Sequence, residues 1–156
     1  MVAAGVKEKL AARFGEEGFQ LVEGAGEPFI RLPVERLREA VSFLRDDAEL
    51  RFDSLLIVTG VDYPDHIDVV YHLRSYPNKA TLALKVSVPR EGGAVPSIAD
   101  IHPAADWHER ETFDMLGVRF EGHPNLRRIL LAEDWDGHPL RKDYEAPDEY
   151  HGIRNW

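Results

Sequence analysis

The chain has 156 residues, a net charge of −9 and no cysteine, and its 44% hydrophobic content is enough for one domain with a real core. The acidic charge argues against a nucleic-acid binder and against direct attachment to anionic lipid. No run of residues approaches the roughly 20 apolar residues of a membrane span. We therefore expect a soluble chain that meets a membrane only through partners. The lack of cysteine excludes disulfides, cysteine-bound iron–sulfur clusters and a cysteine nucleophile.

The N-terminal third predicts two helices and a hairpin. Apolar residues at every fourth position predict an amphipathic helix over about 3–17. Two short runs, 19–22 and 29–32, lie on either side of a glycine-rich turn and predict paired strands. Pro33 is suited to the first position of a second helix, whose one-sided apolar stripe reaches Leu44.

The middle of the chain predicts three consecutive strands. The apolar run 55–58 predicts a short central strand, and 59–65 has the composition of a turn. Residues 67–73 and 82–88 alternate between apolar and polar around a turn at 76–79, as in an antiparallel hairpin with one buried face. The fold class is therefore α+β: helix, two strands, helix and a three-strand meander sheet, followed by a helix and an extended C-terminal arm, with the helices on one face of the sheet.

The segment that follows the third predicted strand has more turns and more polar residues. Residues 90–96 are expected to form a loop, and Ser97 with Asp100 resembles a capping box. A longer helix is predicted over 104–116, with Gly117 at its C-terminal end.

These elements divide the chain into an α+β sheet domain, 1–96, and a helix with an extended docking arm, 97–156, as one compact unit with an appendage. The arm contains two similar turns, Gly122-His123-Pro124 and Gly137-His138-Pro139, each followed by basic residues. We interpret both histidines as parts of rigid turns whose imidazoles cap a nearby carbonyl, rather than as catalytic proton carriers. The arm is rich in arginine and tryptophan, which are common at protein interfaces.

Charged residues on the predicted helix 104–116 raise a pairing question. Asp106, Arg110 and Asp114 follow one another at intervals of four, so the arginine could bridge both acids. Glu109 lies in line with core residues and would need a partner, which we expect to be a basic residue of the Arg127-Arg128 or Arg141-Lys142 segments.

A metal or catalytic site has little support in the sequence. His108-Glu109 begins a zinc-protease motif, but Thr112 stands where its second histidine should be. Four polar side chains of this region could be imagined as ligands, although nothing fixes their geometry: His102, Asp106, His108 and Glu111. A stand-alone acidic metal-dependent enzyme therefore stays open as a minor alternative.

One long gapped motif covers the helix and the arm. It consists of Glu109-Arg110-Glu111-x-x-Asp114-x-x-Gly117-x-x-Phe120-x-Gly122-His123-Pro124-x-Leu126-x-Arg128-Ile129-Leu130 and then Gly137-x-Pro139-Leu140-x-Lys142-x-Tyr144. This motif resembles the 30 kDa subunit family of respiratory complex I, whose members are the C subunit of NADH-quinone oxidoreductase in bacteria and the J subunit of the NAD(P)H dehydrogenase in cyanobacteria and chloroplasts. The resemblance covers about residues 50–145.

The resemblance implies a non-catalytic peripheral-arm subunit that scaffolds the quinone-reducing module of a proton-translocating NADH:quinone oxidoreductase. It implies that this chain binds no cofactor or metal and that FMN, iron–sulfur clusters and quinone are held by other subunits. The implied partners are the 49 kDa-type subunit and cluster-bearing subunits. The implied location is the cytoplasmic face of the bacterial cell membrane. By motif position, ten residues are carried over as interface or arm-ordering residues and none as catalytic: Glu109, Arg110, Glu111, Asp114, His123, Arg127, Arg128, Arg141, Lys142 and Tyr144.

The same resemblance allows an alternative within the wider family, the equivalent subunit of a membrane-bound hydrogenase or of another donor:quinone oxidoreductase. The sequence also departs from the family pattern at one point. Many members continue well beyond the final Lys-x-Tyr, whereas only Glu145–Trp156 follows it here, so contacts made by a longer tail are in doubt.

Overall fold

The computed structural model of the chain describes residues 2–154; Met1 and the last two residues of the predicted arm, Asn155 and Trp156, lie outside the described residues. The helices are α1 (Val2–Phe14), α2 (Leu37–Asp46, preceded by a 3₁₀ turn at Val34–Arg36) and α3 (Ala105–Leu116). The strands are β1 (Gln20–Val22), β2 (Phe29–Arg31), β3 (Ser54–Asp62), β4 (His66–Ser75), β5 (Ala80–Pro89), β6 (Ala94–Pro96), β7 (Arg119–Glu121), β8 (Glu149–Tyr150) and β9 (Ile153–Arg154).

Five strands form one mixed sheet in the order β1-β2-β5-β4-β3. Neighbouring strands are antiparallel except for β2 and β5, which run parallel. The β3-β4-β5 meander and the β1-β2 hairpin confirm the predicted α+β class. The parallel junction between the hairpin and the meander was not predicted, because turn and periodicity signals do not report which strands become neighbours across a helix.

The helices pack on one face of the sheet, as expected. Ile67 and Leu73 of β4 are fully buried and belong to the same hydrophobic core as buried residues of α1, α2 and α3. Gly60 of β3 lies directly against the Leu116 side chain of α3, in a space that an added Cβ would occupy. This missing side chain lets α3 approach β3 closely.

The strand β3 differs from its prediction in length and in position. It spans nine residues and lies at the edge of the sheet, so the prediction of a short central strand is wrong. Its register with β4 shifts between Leu55 and Ile57, and this irregularity leaves the Leu56 and Ile57 side chains 46% and 41% exposed. An unbroken apolar run usually indicates burial on both sides, but here it lies on an open edge. Residues 59–62, predicted as part of the turn, continue the strand.

The segment after β5 is more ordered than predicted. The expected loop 90–96 contains β6, which pairs in parallel with β7 beyond α3. This pairing joins the predicted sheet domain to the predicted arm. The Ser97 hydroxyl does not cap a helix: it accepts from the N–H of Ala99 and donates to Glu109, while Asp100 pairs with Arg38.

The helix α3 agrees with its prediction to within one residue. It ends at Gly117, whose φ of 78° is the left-handed conformation that a helix-ending glycine commonly adopts. Among residues 2–154 there is no helix with the length and apolar character needed to cross a membrane.

Candidate functional site

The arm, residues 117–154, is held against α3 by the buried carboxylate of Asp114. Its Oδ2 accepts hydrogen bonds from the N–H groups of Ile129, Leu130 and Leu131 at 2.8–3.0 Å, and its Oδ1 accepts one from Arg128 at 2.7 Å. Burial opposes the charge of Asp114, but the N–H of Leu131, the Arg128 guanidinium and the other donors outweigh it, so the Asp114 pKa lies below its ordinary value of 3.8. One side chain of α3 therefore fixes the course of the arm.

The guanidinium of Arg128 connects α3 to the second of the two similar turns of the arm. Its Nη1 bonds Asp114, while its Nη2 donates to the carbonyls of Trp135 and Gly137 at 2.9 and 3.0 Å. The Trp135 ring nitrogen donates to the hydroxyl of Tyr144 at 2.9 Å, which adds a further link within the arm. A planar donor group with several fixed N–H directions is suited to holding separate backbone carbonyls in place.

The arm also caps the C-terminal end of α3. A helix leaves its last carbonyls without partners inside the helix. Here the Asp114 carbonyl contacts His138 Nδ1 at 2.9 Å, the Met115 carbonyl accepts from the Leu140 N–H at 3.1 Å, and the Leu116 carbonyl accepts from Arg141 Nε at 2.8 Å. The prediction that His138 caps a carbonyl is confirmed.

The first turn of the arm is fixed by His123. Its Nδ1 accepts a hydrogen bond from the Asn125 N–H at 3.0 Å, which requires that nitrogen to be unprotonated. Its Nε2 can then donate to the Asp106 carbonyl at 3.1 Å. The prediction that His123 caps a carbonyl is confirmed.

A second set of charge pairs holds the far part of the arm to the sheet. Arg90, directly after β5, bonds both carboxylate oxygens of Asp62 at 2.8 and 3.1 Å and both of Asp143 at 2.6 and 3.1 Å. Asp62 also accepts from the Lys142 N–H, and Arg141 Nη1 donates to Glu91 at 2.6 Å. These pairs place residues 141–143 beside the ends of β3 and β5. The roles of Asp62 and Arg90 were not predicted, because partners 28 and 53 positions apart in the chain give no local signal.

Arg110 is buried but does not bridge Asp106 and Asp114, so that prediction is wrong. It donates instead to the backbone carbonyls of Arg127 and Arg128 at 3.2 and 3.3 Å, and its guanidinium lies 5.3 Å from the Trp107 ring centre. The reason is that Asp114 is already saturated by donors from the arm, and the arm backbone offers Arg110 carbonyl acceptors.

Glu109 is fully buried, and among the described residues no lysine or arginine of the arm pairs with it. Its carboxylate accepts from Ser97 Oγ at 2.6 Å and from the Ile98 N–H at 2.8 Å, and His123 Nε2 lies 3.9 Å away. Burial is the main reason why the Glu109 pKa rises from 4.5 to about 7, with the nearby Asp106 and Asp100 adding to the rise against the two hydrogen bonds. The prediction that Glu109 needs partners is confirmed, but the prediction that the partner is a basic residue of the arm is wrong, because both donors are neutral groups outside the arm.

The ten carried-over residues therefore fall into two groups. The side chains with contacts inside the chain are those of Glu109, Arg110, Asp114, His123, Arg128, Arg141 and Tyr144. The exposed ones are Glu111, Arg127 and Lys142, although the Lys142 ammonium lies 5.9 Å from the Tyr63 ring centre. The residues imagined as metal ligands do not converge: residues 2–154 contain no group of three His, Asp or Glu side chains placed to hold a metal ion.

The family model for the 30 kDa subunit of respiratory-chain NADH dehydrogenase matches residues 30–150. The chain belongs to this family. The match includes the meander sheet, α3 and nearly all of the arm, so it covers both parts of the molecule that the charge pairs join.

Sequence relatives agree with the family. The NADH-quinone oxidoreductase C subunit of Roseiflexus sp. (strain RS-1) is 46% identical over 143 residues, which are 90% of this chain and 82% of that protein. The corresponding protein of Chlorobium phaeobacteroides is 40% identical over 159 aligned residues, covering 96% of each chain. The C subunit of Chloroherpeton thalassium is 43% identical, and the match covers 96% of this chain but only 62% of that protein.

Solved structures share the fold. A trypsin-resistant fragment (1-134) of Nqo5 is 29% identical, with a TM-score of 0.67, and the match covers 81% of this chain and all of that fragment. A chain of the membrane-bound sulfane sulfur reductase, an archaeal respiratory membrane complex, gives a TM-score of 0.75 at 24% identity, over 91% of this chain and 85% of that one. The second likeness concerns the fold alone.

Proposed function

We propose that this chain is a non-catalytic subunit that scaffolds the quinone-reducing module of an NADH:quinone oxidoreductase, using α3 and the braced arm as its docking surface. Membership of the family, with relatives that are C subunits of NADH-quinone oxidoreductases, carries the first part of the proposal. The hydrogenase alternative is not favoured by these relatives.

The structure supports the second part through what the arm leaves exposed. Three large apolar side chains of α3 and the arm, Trp107, Leu130 and Leu140, are 62%, 63% and 62% exposed. The segments that carry them are held by Asp114, Arg128 and the helix-capping contacts, so they do not have to be ordered on binding. Because the backbone of these segments is already ordered, a partner that covers the three side chains does not have to order the backbone as well, and tryptophan is among the residues that contribute most at protein interfaces.

We further infer the position of this chain in the complex. The family resemblance implies that FMN, iron–sulfur clusters and quinone are held by neighbouring subunits, and the lack of cysteine in this chain agrees with that placement for the clusters. The 49 kDa-type subunit and cluster-bearing subunits of the quinone module are the proposed partners, at the cytoplasmic face of the membrane. The membrane is reached through these partners.

The test compares two variants with a matched control in cells that depend on this chain. Trp107→Ala and Leu130→Ala remove exposed apolar groups from the docking surface, whereas Tyr76→Ala removes a 64% exposed ring from the β4–β5 turn. We expect the first two to lower the amount of assembled complex on native gels at least about tenfold, without a change in the unfolding midpoint of the isolated chain, and the control to assemble normally. Normal assembly of all three would contradict the proposed docking surface.

A further inference from the structure

The outer edge of β3 is open to a further strand. Among the described residues β3 has a hydrogen-bonded neighbour, β4, on one side only. Over its nine residues, Ser54–Asp62, the strand has no proline and no lysine, the residues that usually protect such an edge, and its single charge is at the end. The register irregularity between Leu55 and Ile57 interrupts this edge, and the arm contacts its last residue, Asp62, through the Lys142 N–H. Between these two points the edge presents backbone N–H and C=O groups whose natural complement is another extended chain.

The side chains along this edge are apolar and exposed. Leu56, Ile57 and Val61 are 46%, 41% and 36% exposed. A shallow groove lies between the strand and α3, and its lining includes Ile57, Thr59, Met115 and Leu140. Because Leu140 is also part of the docking surface of the arm, the open edge and that surface are continuous.

Charge distinguishes between the chains that could lie there. Glu111 lines the groove, is exposed, and has no cationic partner among the described residues. The chain as a whole has a net charge of −9, so a second copy of it would bring further negative charge to the groove. A segment with lysine or arginine is therefore the better complement.

From this geometry we propose that β3 receives an extended segment of a neighbouring subunit, which adds a sixth strand to the sheet. The segment would have alternating apolar residues, one set of which enters the groove, and a lysine or arginine that meets Glu111. The inference rests on the proposed function, since it requires a partner subunit, and it extends the docking surface, with which the groove shares Leu140, to the edge of the sheet.

Hydrogen–deuterium exchange of the purified complex and of the isolated full chain tests the added strand. In an edge strand the N–H groups that point away from the sheet exchange freely, and a new neighbour protects them. We expect amides of Ser54–Asp62 to exchange at least about tenfold more slowly in the complex. If the chain is present in the complex and these amides exchange equally in both samples, the added strand is wrong while the proposed function stands.

A pair of lysine substitutions with the same starting exposure supplies the matched comparison. Leu56→Lys places a charge on the open edge, and Val2→Lys places one on α1; both residues are 46% exposed. We expect Leu56→Lys to lower assembly at least about tenfold and Val2→Lys to leave it unchanged, with equal unfolding midpoints for the isolated chains.

Two further outcomes would overturn the proposal in distinguishable ways. Sedimentation of the isolated chain as a dimer, dispersed by Leu56→Lys, would assign the edge to a second copy. If the wild-type chain is found in no such complex at all, the proposed function itself fails, and the strand addition fails with it.

Discussion

Replacing Glu109 by glutamine removes one ionisation from the core and changes little else. In the wild-type chain the carboxylate accepts from the Ile98 N–H and from Ser97 Oγ. The glutamine oxygen can still accept from the Ile98 N–H, and the glutamine NH₂ group can donate to Ser97 Oγ. Outside α3, the titratable and charged groups that act on Glu109 are the Tyr71 hydroxyl of β4, His123 of the arm, Asp100 and, at longer range, Arg38 of α2. The fully buried carboxylate has a direct ion pair with none of the described lysines or arginines.

The pH dependence follows from the raised pKa of Glu109. The unfolded chain releases this proton near pH 4.5 and the folded chain near pH 7, so between these values the folded state binds more protons. The contribution of Glu109 to the free energy of unfolding is therefore largest below pH 4.5, falls as the pH rises, and is lost above about pH 7. At about 1.4 kcal/mol for each pH unit, the loss over this interval is about 3 kcal/mol.

Urea unfolding of both chains between pH 4 and 8 measures this loss. Other groups also titrate in that range: His102, whose pKa is lowered by burial and then by Arg45, gives a slope of the opposite sign below pH 6.5. Such contributions cancel when the wild-type curve is compared with that of Glu109→Gln. We expect the difference between the two chains to change by about 3 kcal/mol in favour of the variant from pH 4.5 to 7.5. Parallel curves would refute the buried, unpaired carboxylate.

Three further substitutions test the brace of the arm. Asp114→Asn should lower the free energy of unfolding, measured in urea near pH 7, by about 3–5 kcal/mol. It should also remove the loss of stability that the wild-type chain shows below pH 3.8, where Asp114 becomes protonated. Arg128→Ala should destabilise the isolated chain by about 3 kcal/mol or more, whereas Arg127→Ala, an exposed neighbour, should leave the unfolding midpoint unchanged; equal effects would contradict the brace. Gly117→Ala should cost at least about 1–2 kcal/mol, because φ is 78° and the added Cβ would lie 2.6 Å from the His138 ring, and an unchanged thermal midpoint would contradict this.

The fold could be predicted where its signals are local. The alternation of 67–73 and 82–88, the apolar stripe of α2 and the glycine after α3 each report on a few neighbouring residues, and the structure agrees with them. The edge position of β3 was missed because a strand's neighbours depend on the whole sheet. An apolar run has the same appearance at an exposed edge as in the centre.

The candidate site was predictable in its location but not in its pairings. The two Gly-His-Pro turns gave the carbonyl-capping histidines correctly, since a rigid turn limits what its imidazole can reach. The ion pairs were different, because Arg110 had two acids within helical reach yet bonds backbone carbonyls of the arm. Helical spacing predicts only the partners that lie on the same helix. In the folded chain Arg110 bonds acceptors of the arm instead, which sequence spacing does not reveal.

The capping of α3 has a consequence for the order in which the chain acquires its structure during synthesis. The carbonyls of the last turn receive their donors from His138, Leu140 and Arg141, which leave the ribosome more than 20 residues after the helix itself. The sheet can close earlier, because its strands end at Pro89. The final turn of α3 thus becomes fully satisfied only after Arg141 has been made, so a product that ends before this residue would carry a frayed helix end and would lack part of the surface proposed for docking.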